Sequence, residues 1–592
     1  MESSRCKLIN SPQSCVDDSL QGFVALNPGV RILKGCGALI RYDYENVSAT
    51  GKVCIVAGGG AGHEPAFGGF VGTGFLTAAV SGPIYTSPSS EHVLSTLRTL
   101  AHKKNVAIVV FVCNYTGDRL TFGIAVERAQ AEGINCDMIL VDDDTAIQHS
   151  PRAIGRRGLC GSLFLMKIAG AMSEEGKSVE EIKKYIEPMK AHMGTLSVGL
   201  TTCALPGKDV PLFVIPRDKM ELGMGVHGEA GVNRLPCLDA AKTAHLMIDH
   251  LRHALKASCP LKKGERVALM LNNMGGLTTL EMNIMAKEVI NYLEEAHVVV
   301  LRAYAGYYMT SLESAGLSIS LLKVDDNMLR YLDFPTTAPG WRVAYCSDGF
   351  TRFTPTELEP VAKAKADGEA DTGFGYQLGH DGQHVLREAI ARACDAVVAH
   401  EKEFNQLDSE CGDGDCGTTL TAGARAIMSY LSEGHSFKYP EQVFRQLSHV
   451  VGTSMGGTSG AIYSLLFLGA SRPFEMLTGY TAWVSALDMG MKLISKYSMA
   501  KVGDRTMLDT LSSVLTVLQG HSWSSEPESL AQLEKQVTSA MAKAVASTVH
   551  MRAQAGRASY VNPSLLKSPD SGARAVEVWM TWVFRTLVAN LP

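Results

Sequence analysis

The segment Asp408-Ser-Glu-Cys-Gly-Asp413-Gly-Asp415-Cys-Gly-Thr418-Thr419 sets three aspartates within eight residues, separated by glycines that let the backbone turn tightly. Carboxylates at this spacing repel one another unless a cation sits among them. Oxygen-only ligation with an incomplete protein shell suits magnesium, which keeps waters and binds through a few carboxylates plus substrate phosphates. A lone Asp-Gly would read as a solvated turn. Three aspartates with intervening glycines, opening a helix, point instead to Asp408, Asp413 and Asp415 as metal ligands. An EF-hand is excluded, because its closing bidentate Glu is missing and the glycine falls at the wrong place. Cys411 and Cys416 flank the acidic residues, but soft sulfur does not suit such a site, so both are read as core or spacer residues.

Phosphate handling needs donors, and two further segments offer them. Met455-Gly456-Gly457-Thr458-Ser459-Gly460-Ala461 precedes the apolar run Ile462–Leu468, so free backbone N–H groups and small hydroxyls would face an anion. No Walker A lysine is present. In Gly503-Asp504-Arg505-Thr506-Met507-Leu508-Asp509, Arg505 is placed to neutralise phosphate and Thr506 to cap the next helix. In the other half of the chain, His63 follows the glycine run Gly58–Gly62, and His227 stands between glycines in Gly225-Val-His-Gly228. An isolated histidine is usually a surface or satisfied core residue; the glycine flanks leave His227 sterically open.

The elements that must position these residues fall into two textures. Apolar runs at 53–57, 106–113, 138–141, 267–271 and 298–301 read as strands buried on both faces, separated by glycine turns and helical stretches, which is the form of an α/β domain. His63 and Asp118 each lie just past the carboxyl end of such a strand, where α/β domains bind ligands. Near residue 345 the composition shifts to Pro, Ala, Lys, Glu and Gly, predicting a linker over 346–381 between domains at 1–345 and 382–592. Beyond it, Leu386, Ile390, Ala393 and Val397 recur on one helical face, and further helical patterns follow at about 439–451, 460–468, 481–496, 507–518, 529–553 and 573–587. The expected architecture is an N-terminal α/β domain and an all-helical C-terminal domain.

Length and charge bound the rest. A chain of 592 residues exceeds what one core supports. With 46% hydrophobic and 19% charged residues it is of ordinary globular composition, and a formal net charge of -5 offers no cationic face, so neither nucleic acid nor a membrane is an expected partner. The fourteen cysteines contain no Cys-x-x-Cys pair, and the N-terminus shows no apolar leader. A cytoplasmic protein is expected.

Taken in order, the acidic loop, Gly-Gly-Thr-Ser-Gly, Gly-Asp-Arg-Thr-Met, Gly556-Arg-Ala-Ser-Tyr560 and Pro569-Asp-Ser-Gly-Ala573 resemble the nucleotide-binding L domain of the dihydroxyacetone kinase family. Gly58-Gly-Gly-Ala-Gly-His63-Glu-Pro65, Asn114-Tyr-Thr-Gly-Asp118, Gly155-Arg-Arg-Gly-Leu-Cys-Gly161 and Gly223-Met-Gly-Val-His227-Gly-Glu229 resemble its substrate-binding K domain. The resemblance implies phosphorylation of dihydroxyacetone and glyceraldehyde by ATP, with the carbonyl held as a hemiaminal on His227. It places His63 as a hydrogen-bonding partner of the substrate and Asp118 as the group acting on the attacking hydroxyl, in a pocket that also includes Gly60, Ala61, Gly62 and Cys113. It implies a helical-barrel L domain binding ATP and two magnesium ions through Gly414, Asp415, Cys416, Gly417, Thr418, Thr458, Ser459, Arg505, Thr506, Met507, Asp570, Ser571 and Gly572. A homodimer is implied, with nucleotide from the partner's L domain. The layout is similar to the animal branch, which implies a second reaction: cleavage of FAD to AMP and riboflavin 4′,5′-cyclic phosphate with manganese or cobalt. Two positions depart from the family pattern: Cys113 where it has lysine, and Ser571 where it has proline.

Overall fold

The computed structural model describes residues 6–102, 106–147, 155–256, 261–342, 344, 374–524 and 526–590. Two compact units divide the chain, residues 1–359 and 360–592; the first is α/β and the second helical. Most of the expected linker lies outside the described residues. Its last two positions, His380 and Asp381, already open the first helix of the second unit, His380–Ala399.

The first unit holds strands β1 Val30–Leu33, β2 Ala38–Arg41, β3 Cys54–Ala61, β4 Ala78–Ile84, β5 Ala107–Cys113, β6 Asn135–Val141, β7 Met193–Gly199, β8 Lys219–Leu222, β9 Asn233–Pro236, β10 Arg266–Asn273, β11 Val299–Gly306 and β12 Gly316–Lys323. They form two sheets, ordered β1-β2-β4-β3-β5-β6 and β11-β10-β12-β7-β8-β9. β4, β3, β5 and β6 run parallel, with β2 antiparallel to β4; in the second sheet only β10 and β11 pair in parallel. Ile55 and Phe111 from one sheet and Met270 and Leu322 from the other share a core with helix Ser162–Glu174, whose residues 162–173 are all buried. A helix apolar all round belongs between two layers. Its one buried cation, Lys167, is satisfied by donating to the carbonyls of Tyr331 and Phe334 at 2.9 and 2.8 Å.

β3 departs from its sequence reading. The glycine run that looked like a turn continues the strand to Ala61. Glycine is needed there because neighbours crowd the backbone: a Cβ at Gly58 would come 2.4 Å from the Val80 carbonyl, and one at Gly60 2.7 Å from the Thr86 nitrogen. β7 and β12 lack the apolar runs that betray the parallel strands. Their buried hydroxyls pair across the two strands instead, Ser197 with Ser318 at 3.1 Å and Thr195 with Ser320 at 2.7 Å.

In the second unit the helices expected from periodicity form, the acidic loop opens helix Cys416–Ser432 as expected, and one more helix, Glu401–Asp408, precedes it. Helix Pro527–Thr548 stops short of the expected 553: the N–H groups of His550 and Met551 donate three residues back, to Ser547 and Thr548 at 3.0 and 3.3 Å, and the Thr548 hydroxyl accepts the Asp570 N–H at 3.0 Å. The helices enclose an apolar cavity of about 530 Å³, lined by residues such as Ile427, Val451, Leu466 and Phe584 and by none of the expected nucleotide ligands. The polar chemistry of this unit lies in the loops at its helix ends. Among the described residues no helix is long and apolar enough to cross a membrane.

Candidate active site

The carboxyl ends of β3 and β5 and the loop at 223–229 converge on a narrow pocket of about 20 Å³. Gly60, His63, Cys113, Asp118 and His227 line it, so five of the sequence-predicted residues meet there. Ala61 and Gly62 do not line it; they carry the chain from β3 to His63, and the Gly62 carbonyl accepts the Leu312 N–H at 3.0 Å. Gly59, Phe67, Tyr115, Gly158, Val226 and Met309 complete the walls. Sequence reasoning did not single out these six; Gly59, Tyr115, Gly158 and Val226 lie inside the glycine-rich motifs it did read, whereas nothing in the sequence pointed to Phe67 or Met309.

His63 is buried, and its Nδ1 lies 2.9 Å from the Thr310 carbonyl. A carbonyl oxygen only accepts, so Nδ1 carries the proton and Nε2 is left as an acceptor. Burial, reinforced by the neighbouring His227, pushes the His63 imidazole down to about 3, so it is neutral near physiological pH. Asp118 sits in the first turn of helix Thr116–Ala131, where an anion is favoured. Ser87 hydrogen-bonds this carboxylate, while its buried Oδ1 has no partner. Burial raises the Asp118 carboxyl above its ordinary value, which makes it a better proton acceptor. His227 has a side chain 25% exposed and contacts Tyr85, Tyr115 and His63 edge-on. The pocket therefore offers an accessible imidazole, a neutral hydrogen-bond acceptor and a carboxylate with one oxygen free of partners. Cys113, also in the wall, is buried, and burial keeps it a thiol; it brings no cation to the site.

In the second unit the carboxylates of Asp408, Asp413 and Asp415 bring ligand oxygens within 4.8 Å of one another. Asp408 ends one helix, Asp415 precedes the next, and the Gly414 N–H donates to Asp408 Oδ2 at 3.0 Å, closing the turn. Three converging hard oxygens that leave room for further ligands fit magnesium. Cys416 is held as a thiol, pushed up to about 12 by burial, and burial also raises Cys411, in keeping with spacer roles. Arg557, missed by sequence reasoning, pairs with Asp413 at 2.5 Å and supplies a cation at the acidic rim.

The remaining nucleotide-site expectations divide. Gly414, Asp415, Cys416 and Gly417 lie in or beside the acidic turn, whereas the Thr418 side chain is engaged by Asn405 and Glu401 at 3.0 and 3.2 Å. Thr458 and Ser459 stand in the first turn of helix Gly457–Ser471, whose leading N–H groups have no intrahelical partner. Thr506 caps helix Met507–Gly520, as the sequence predicts, and the structure adds a reciprocal box with Asp509; Met507 is buried. Asp570 caps helix Ser571–Asn590 by accepting the Ala573 N–H at 2.8 Å, with Gly572 packed against it, and Ser571 hydrogen-bonds the Cys416 thiol. Arg505 corrects the sequence reading. It is 2% exposed and turned inward, donating to the carbonyls of Thr548 and Ser568 at 3.1 and 2.7 Å. It braces the Thr506 and Asp570 loops together, with its Nη1 4.0 Å from Asp570 Oδ2.

Comparison with known proteins matches this arrangement. Residues 21–340 match the Dak1 domain and residues 410–584 the DAK2 domain. The chain is 40% identical over 584 residues to triokinase/FMN cyclase of Homo sapiens, covering 98% of this chain and 99% of that protein. It is 30% identical over 609 residues to dihydroxyacetone kinase of Pichia angusta, covering 95% and 96%. Among solved structures, the dihydroxyacetone kinase from C. freundii in complex with AMP-PNP and Mg2+ superposes with a TM-score of 0.67 at 26% identity, covering 99% of this chain and 100% of that one. With both domains present in the same order and relatives matched nearly end to end, the chain belongs to the dihydroxyacetone kinase family.

Proposed function

We propose that this protein transfers the γ-phosphoryl group of ATP to dihydroxyacetone, and to glyceraldehyde, after His227 has captured the carbonyl as a hemiaminal. The observation that carries the reading is the pairing, within one small pocket, of an accessible imidazole with a buried carboxylate oxygen that has no partner. In capture, His227 Nε2 bonds to the carbonyl carbon, the C=O π pair moves onto oxygen, and that oxygen takes a proton from solvent. The imidazole gives up its Nδ1 proton in exchange, so the adduct is neutral. The new hydroxyl donates to His63 Nε2. A compound without a carbonyl, such as glycerol, cannot be held this way, which gives selectivity to a substrate with little apolar surface. Asp118 accepts the proton of the hydroxyl that attacks phosphorus. On the nucleotide side, Asp408, Asp413 and Asp415 hold magnesium, which neutralises phosphate charge, while Thr458, Ser459 and the turn at 570–572 position the nucleotide. We place this activity in the cytoplasm, in a homodimer.

The decisive experiment compares ATP-dependent phosphorylation of dihydroxyacetone and glycerol by wild type and His227→Ala. Loss of ketose turnover in the variant is expected; retained selectivity for ketose over glycerol would refute covalent capture. A second activity, cleavage of FAD to riboflavin 4′,5′-cyclic phosphate with manganese or cobalt, is favoured by full-length similarity to a triokinase/FMN cyclase. Incubation with FAD and Mn2+ followed by chromatography for the cyclic product tests it. A purely regulatory role is disfavoured because both histidines, Asp118 and the three loop aspartates are all in place.

A further inference from the structure

His227 has a support that reaches well behind the pocket. Tyr115 and Tyr85 meet its ring edge-on, with centroids 4.7 and 5.3 Å away and interplanar angles of 87° and 86°, which fixes the plane of the imidazole. They leave open which nitrogen faces the substrate. Glu229 settles that: Oε1 lies 3.5 Å from Nδ1, and Oε2 accepts the His227 backbone N–H at 3.0 Å. A carboxylate only accepts, so the nitrogen beside it carries the proton and the other keeps its lone pair.

Glu229 is itself held. Arg157 Nη1 lies 3.5 Å from Glu229 Oε1, while Arg157 Nε donates to Asp144 Oδ2 and Nη2 to the Gly223 carbonyl, both at 2.7 Å. Asp144 is fully buried, and its Oδ1 accepts the Ala146 N–H at 2.9 Å. The space for this chain is reserved: a Cβ at Gly225 would come 2.1 Å from Glu229 Oε2 and 2.5 Å from Arg157 Nη1. Burial works to raise the Glu229 carboxyl, yet the His227 hydrogen bond and the Arg157 charge prevail and hold it down at about 2. None of Glu229, Arg157 and Asp144 lines the pocket.

We infer that Arg157 is a positioning residue: anchored on Asp144 and Gly223, it fixes Glu229, which turns His227 so that Nε2 faces the substrate carbonyl. This rests on the covalent reading of His227 given above. The effect falls on substrate capture and leaves the nucleotide side untouched. In the full-length protein, Arg157→Ala should lower the fraction carrying a dihydroxyacetone adduct by native mass spectrometry. The KM for dihydroxyacetone should rise by about ten-fold or more, the scale of one charged hydrogen bond, with KM for ATP unchanged. Arg157→Lys, which keeps the charge without the planar fork, should restore part of the loss. Glu229→Gln gives an independent route, because the Glu229 side chain is 38% exposed and the substitute has the same shape, so the variant should fold. An Arg157→Ala protein with wild-type melting and a wild-type adduct fraction overturns the inference. Should that variant fail to fold, unchanged adduct and KM in both Arg157→Lys and Glu229→Gln overturn it equally. If wild type forms no adduct, the covalent reading falls and this inference with it; if wild type and variants all form it, only the role of Arg157 is lost.

Discussion

Replacing His63 by Asn should remove a specific acid sensitivity from the first unit. The imidazole is buried and titrates at about 3 in the folded chain against 6.5 for the free group, so as pH falls the unfolded chain takes up the proton first. Stability is unaffected above pH 6.5 and declines between 6.5 and about 3. At about pH 5 the folded site is still empty of the proton and the unfolded one nearly full, so the loss relative to about pH 7.5 is roughly 2 kcal/mol. That figure barely changes if the folded value is a unit higher, because the unfolded value sets it. Asn is the informative substitute, since its amide nitrogen can reach the Thr310 carbonyl as Nδ1 does while carrying no titratable proton. Urea unfolding of both proteins at the two pH values, followed by hydrogen–deuterium exchange on peptides covering β3 and β5, isolates this unit from the helical one. Wild type should lose about 2 kcal/mol more than His63→Asn on acidification. Equal losses would mean that a charged imidazole is tolerated at this site, and the picture of His63 as a neutral acceptor would be wrong.

Lysine at position 113 should strengthen substrate binding, since the pocket wall carries no cation; Cys113→Lys is expected to lower KM for dihydroxyacetone by about ten-fold in a coupled kinase assay, and an unchanged or higher KM refutes the idea. Arg557 competes with metal for Asp413, so Arg557→Ala should bind Mn2+ without nucleotide a few-fold more tightly by calorimetry, within the modest worth of an exposed pair; weaker binding would show that the arginine supports the site. Gly417→Ala puts a Cβ 2.0 Å from the Glu401 carbonyl and must part the two helices that frame the acidic turn. A loss of roughly 1–3 kcal/mol and weaker Mn2+ binding are expected, with wild-type melting and calorimetry as the contrary result.

Local signals read well where the chemistry is local. The acidic turn closes on itself within a few residues, so glycine spacing and aspartate identity were enough to find the metal-binding candidates, and Thr506 announced its own cap. Strands β3, β5 and β10 stood out because burial on both faces demands unbroken apolar runs, and β6 and β11, at the sheet edges, stood out by shorter apolar runs. β7 and β12 were hidden, since serine and threonine are acceptable in a core only when each hydroxyl finds a partner on another strand. The inward turn of Arg505 was hidden for a related reason: a guanidinium beside a phosphate-type loop looks outward-facing until the carbonyls of Thr548 and Ser568, distant in sequence, are seen to accept from its Nε and Nη2.

Residue order alone determined the two-unit architecture and the acidic turn, because each depends on periodicity or on neighbours a few positions apart. The tertiary structure decided which nitrogen of each histidine is free, which carboxylate stays unpaired and which arginine faces solvent. Those properties are set by partners such as Thr310 for His63, Glu229 with Arg157 for His227, and Thr548 for Arg505. Protonation, burial and hydrogen-bond saturation depend on all the atoms around a group, most of which the fold brings in from distant parts of the chain.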